Sequence, residues 1–130
     1  PWLAAYFMAN VDVQPNTMRL YDRIGRPLLR LDLTTRQRFH AISAVTGFVV
    51  GTAADLGQDP PPEVADGSVG RDAYIARFAD DWRRLDPAEF PFVHEIVDEF
   101  AVHDDGEQFR AGLDLLLDGL RQQAERGRRR

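Results

Sequence analysis

At 130 residues and 14.7 kDa the chain has the length of one domain, and its 44% apolar content argues against wholesale disorder. It contains no cysteine, which excludes a disulfide framework and thiolate metal ligation. The net charge is −5, all 16 basic residues are arginine, and the one dense basic cluster is the terminal ERGRRR, so the broad basic face of a nucleic-acid binder is excluded.

That tail is expected to be frayed and solvated, with a phosphate-binding arm as the alternative. No apolar run approaches the length of a bilayer span, and PWLAAYFMAN lacks the basic start of a secretory signal. A reducing cytoplasm fits this composition. An opening without Met, already apolar, is expected of a chain cut from a longer one.

Trp2, Tyr6 and Phe7 mark a first apolar turn ending near Asn10. QPNTMRLYDRIG follows as a helix, with Pro15 at its start and Met18, Leu20, Tyr21 and Ile24 at helical spacings. Gly25 and Pro27 break or kink it. Thr34 or Thr35 is the expected N-cap of a long helix that runs to Gly57. QDPPPEVADGSVG reads as a mobile loop, and RDAYIARFADDWRRL as a helix. In DPAEFPFVHEIVDEFAVH, Asp86 is the expected N-cap, with Pro87 at the first position and Glu89 three residues after the cap. Asp104, Asp105 and Gly106 introduce a final helix containing FRAGLDLLLDGL. The β-branched run GFVVG lies inside the long helical pattern, so the fold class is all-α.

Two helices carry glycines where propensity disfavours them by about 1 kcal/mol each. In the last helix Phe109, Gly112, Leu113, Leu116, Gly119 and Leu120 share one side. In the long helix Ala44, Gly47, Gly51 and Ala54 form a stripe of small residues. Such seams admit a close neighbour, either within the chain or across a two-fold axis.

Catalysis finds no support. His94 and Asp98 have the spacing for one edge of a metal site, but no further ligands gather, and a solvated face accounts for them. His40 follows Phe39, and His103 sits at a helix end where the dipole accounts for it. No phosphate loop or nucleophile elbow is present, so no enzyme activity, cofactor or metal is expected. Trp2, Tyr6, Phe7, Tyr21, Phe39, Phe78, Trp82, Phe90, Phe92 and Phe100 instead supply walls for a core or an apolar cavity.

AISAVTGFVVGTAADLG followed by FRAGLDLLLDGLRQQ resembles the paired bundle helices in the C-terminal domain of the tetracycline-repressor (TetR) family. QPNTMRLYDRIG resembles the helix before them, FPFVHEIVDEF the short helix between, and PWLAAYF the domain's usual opening. The similarity covers nearly the whole chain and rests on the order and spacing of these segments.

The resemblance implies a dimeric, all-helical effector-binding module whose four-helix bundle joins two subunits. Residues 1–130 would be this domain, with a helix-turn-helix operator-binding domain outside the chain. By family correspondence, Phe39, Ile42, Ser43, Thr46 and Gly47 face the cavity, with Met18, Asp22, Arg23 and Arg26 from the preceding helix. Phe92, Ile96 and Asp55 match positions that close it from the other subunit. Ala44, Phe48, Gly51, Phe109, Gly112, Leu113, Leu116, Gly119 and Leu120 are the implied dimer seam.

Asn10 and Gly47 stand where tetracycline repressor has histidines, so a magnesium–tetracycline chelate is not expected. Gly25-Arg26-Pro27 interrupts a helix that generally continues in the family. The expected function is therefore effector sensing by a cytoplasmic, homodimeric transcriptional regulator, a repressor by family habit. Its partners are a small apolar molecule and operator DNA reached through the other domain, with no membrane. A helical dimerisation module with a filled aromatic core is the alternative, and a small cavity enzyme a more distant one.

Overall fold

The computed structural model describes residues 15–129, and every regular element among them is helical. Trp2, Tyr6, Phe7 and Asn10 lie outside the described residues. Two compact units divide the chain: Pro1–Gln58 with Phe109–Arg130, and Asp59–Gln108.

In the first unit, α1 (Pro15–Gly25) ends where Gly25 is followed by Arg26 and Pro27. Proline has no amide hydrogen for the next α-helical bond, and the chain tightens into a 3-10 turn over Arg26–Arg30. Arg38 secures this turn, donating from Nε to the Leu28 carbonyl and from Nη2 to the Leu31 carbonyl, each at 3.2 Å. Helix α2 (Thr35–Leu56) starts with a full capping box. The Gln37 amide donates to Thr34 Oγ1 at 3.2 Å, and the Thr34 amide donates to Gln37 Oε1 at 2.8 Å.

From Ala41 to Ala54 this helix carries no charge. It is consequently long and apolar enough to cross a bilayer by length and composition, contrary to the expectation above, yet almost none of it is buried in the chain.

Helix α6 (Asp105–Arg128) runs into the arginine tail, so that Glu125–Arg128 is helical in place of the expected frayed end. Ala124 is buried, and a methyl group at Gly127 would collide with the Asp32 carbonyl oxygen. Glycine permits that backbone approach, and Arg128 Nε reaches Asp32 at 3.3 Å. Leu33 and Ile42 complete the small core of this unit.

In the second unit, the proline-rich stretch contains a helical turn, α3 (Pro62–Ala65), in place of the expected loop. Gly67, at φ +76°, turns the chain back so that the Val69 amide meets the Glu63 carbonyl at 2.8 Å. Helix α4 (Arg71–Arg83) packs on α5 (Pro91–Val102) through buried Ala79 and Val97, with Trp82 stacked on Phe100 at 4.1 Å. Arg83 joins the same two helices by donating to Asp98 at 2.6 Å.

The start of α5 differs from the expectation. Asp86 caps only a turn, taking the Ala88 amide at 2.9 Å, and the helix begins at Pro91. Proline disfavours the α conformation in the residue before it, and Phe90 accordingly sits at φ −121°, ψ 52°. The second proline of DPAEFP thus overrides the first as the helix start.

Candidate functional site

Helix α2 presents the residues on which the site is built. Its capping box and the Arg38 clamp hold its first turns against the 3-10 segment, and Ile42 is buried there, with Gly25 beside its side chain. One turn away the two hydroxyls of the expected site behave differently. Ser43 Oγ donates to the Phe39 carbonyl at 2.8 Å, so its hydrogen bond is spent inside the helix. Thr46 Oγ1 is buried and has no partner; it is the one such side-chain atom among the described residues. An unsatisfied buried hydroxyl costs about 1–3 kcal/mol, so it marks a position where a polar atom would be accepted.

The remaining expected ligand positions are dispersed. Phe39 stands 61% exposed beside the His40 ring, and among the described residues nothing lies within 4 Å of a Cβ at Gly47. Asp22 is taken up by Arg26 at 2.6 Å, while Met18, Arg23 and Asp55 are exposed. Phe92, at 70% exposure, and half-buried Ile96 belong to the second unit.

Two concavities flank α2 within the first unit. A cleft of about 360 Å³ is lined by Ile24, Pro27, Leu28, Leu31, Ala41, Ile42, Val45, Leu117, Leu120 and Arg121. Of the expected ligand positions only Ile42 borders it. The others were legible in one respect: Gly25-Arg26-Pro27 announces the break, and a three-residue period then puts Leu28 and Leu31 on one side. A second groove of about 270 Å³ runs between α2 and α6, and Ala44, Leu116, Gly119 and Leu120 of the expected seam line it with His40 and Gln123.

Gly112, Phe48 and Phe109 meet within the chain. The two rings stack at 5.5 Å, and Phe48 covers Gly112. Among the described residues nothing lies within 4 Å of a Cβ at Gly51 or Gly119.

The described histidines pair with neighbouring groups. His94 Nε2 is 2.8 Å from the Leu85 carbonyl, and Asp98 pairs with Arg83. His103 Nδ1 is 2.6 Å from the Phe100 carbonyl, and its Nε2 is 3.3 Å from Asp105, which also accepts from Arg71. Among the described residues no three metal-ligating side chains converge.

Residues 1–124 match the family described as tetracyclin repressor-like, C-terminal domain. The chain belongs to that family. Among solved structures, this TetR-type domain is similar to the transcriptional regulator SCO7222, a TetR from Streptomyces coelicolor, at 28% identity and a TM-score of 0.76. The match covers 95% of this chain and 57% of that one, so the TetR-type domain spans little more than half the regulator's length. No curated protein matches the sequence.

Proposed function

We propose that this domain senses a small, largely apolar effector and dimerises through α2 and α6. Occupancy would be coupled to operator binding by a DNA-binding domain outside the chain, in a cytoplasmic regulator that acts as a repressor. The observation that carries the effector reading is Thr46. Its buried, unpartnered hydroxyl lies on the helix face that family correspondence assigns to the cavity, beside buried Ile42. An apolar enclosure with one or two oriented polar atoms is the usual chemistry of a small-molecule site. Phe92 and Ile96 are assigned to the closing side, from the partner subunit.

Dimerisation is supported by the open seams. The uncharged stretch Ala41–Ala54 of α2, with Gly47 and Gly51 uncovered by described residues, exposes apolar surface that a second copy's α2 and α6 would cover. A ligand that favours one dimer geometry then shifts the spacing of the DNA-binding heads by its differential affinity for the two states.

The test is a thermal-shift screen with aromatic and lipophilic compounds on the native chain and on Thr46→Trp. Compounds that raise the melting temperature of the native protein should lose their effect in the folded, dimeric variant. A variant that keeps every response places the effector elsewhere.

A further inference from the structure

The net charge of −5 conceals a strong separation. The unit formed by Pro1–Gln58 and Phe109–Arg130 holds twelve arginines against seven carboxylates, a net +5. Asp59–Gln108 holds four arginines against fourteen carboxylates, a net −10. The 360 Å³ cleft lies wholly within the positive unit, and Arg121 is the single charged residue in its lining.

Arg121 stands one helical turn after Leu117 on the same helix, and both line the cleft. Its partner in the chain is Asp118, three residues earlier on the same helix, at 2.6 Å. Both side chains are well exposed, at 70% and 62%, and such a pair contributes little and is readily exchanged. Leu28 stands opposite on the 3-10 turn, whose carbonyls Arg38 clamps, so that wall is fixed before any ligand arrives.

We propose that this cleft, which borders the expected effector face at Ile42 but does not include Thr46, is a second ligand site and that it takes a medium-chain alkyl carboxylate. The alkyl chain lies between Leu28 and Leu117, and the carboxylate replaces Asp118 on Arg121. At about 30 Å³ per non-hydrogen atom, the share of a water in the liquid, the space holds roughly a dozen atoms. One planar guanidinium matches one carboxylate in a two-pronged hydrogen bond, whereas a doubly charged phosphate would call for further cations.

Calorimetric titrations of the 130-residue chain with dodecanoate, dodecanol and dodecyl phosphate, below their aggregation limits, test this. Dodecanoate should bind more tightly than the other two. Arg121→Gln should weaken dodecanoate about tenfold and leave dodecanol unchanged. Leu28→Trp should abolish dodecanoate binding, and Thr46→Trp should leave it intact, which keeps the outcome distinct from that of the effector screen. Equal affinity for dodecanoate and dodecanol, or a preference for dodecyl phosphate, overturns the proposal. So does a Leu28→Trp chain that changes self-association while binding dodecanoate as before, which would mean that a second copy covers the cleft. Arg121 is exposed, so Arg121→Gln tests the proposal even where Leu28→Trp does not fold, and an unchanged dodecanoate affinity in it refutes the site.

Discussion

The ring of Phe48 lies over Gly112, so close that a methyl group at that position would stand 2.6 Å from Cζ. The same ring stacks on Phe109 at 5.5 Å, which limits how far it can retreat. Helix α6 therefore carries this glycine for a neighbour in its own chain. Gly112→Leu should overpack the contact and cost about 1–3 kcal/mol. Chemical denaturation of the variant measures that loss, and an unchanged midpoint would show that the ring moves freely.

Gly119 and Gly51 make the opposite case, since a Cβ at either position meets none of the described residues. Gly119→Leu and Gly51→Leu should leave helicity intact by circular dichroism while shifting sedimentation profiles toward monomer. An obligate interface commonly buries more than about 2,000 Å², and two bulky intrusions at its seam prevent close contact. Dimers that persist unchanged in both variants would place the interface elsewhere.

At the end of α6, Gly127→Ala should cost more than Arg128→Ala. The first forces a methyl group onto the Asp32 carbonyl, for about 1–3 kcal/mol. The second removes an exposed ion pair of 3.3 Å, worth less than about 1 kcal/mol. Melting temperatures of the two single variants give the order directly.

Thr46→Val removes the buried hydroxyl while keeping the side chain's shape. Without effector the variant should be more stable by roughly 1 kcal/mol, because the unpartnered oxygen no longer loses its water on folding. Effector compounds that hydrogen-bond to Thr46 should stabilise it less than they stabilise the native chain. A variant less stable than the native chain would reveal a bond that this hydroxyl makes after all.

Asp66 gives a pH test in the second unit. Hydrogen bonds from Ser68, side chain and backbone, hold its carboxyl below the ordinary value of 3.8. The folded form thus prefers the carboxylate, and its contribution is present above 3.8 and lost as pH falls through the lower folded value. A carboxyl carbon titration by NMR should find the Asp66 midpoint below 3.8, and Ser68→Ala should raise it. A midpoint at the ordinary value would mean the turn does not hold the charge.

Much of the all-α architecture was legible in the sequence because its signals are local. Thr34 with Gln37 three residues on specifies a helix start whatever surrounds it, and the Gly25-Arg26-Pro27 break forbids continuation by its own covalent geometry. Where two local signals competed, at Pro87 and Pro91, the later one prevailed through the restriction it places on Phe90.

The resemblance to the family was likewise carried by local signals, the residue motifs such as FRAGLDLLLDGL with their order and spacing along the chain. Which side chains meet was a different matter. A helical wheel places Gly112 and Gly119 on one face, but only the packed chain puts Phe48 on the first and leaves the second bare. Ser43 and Thr46 offer the same chemical group three residues apart, yet one is satisfied by the preceding turn and the other is not. The cleft between the 3-10 turn, α2 and α6 draws on segments nearly a hundred residues apart, as does the contact of Gly127 with Asp32. Periodicity assigns a residue to a face of its own helix; what lies opposite that face depends on distant parts of the chain and is decided by the packing that brings them together.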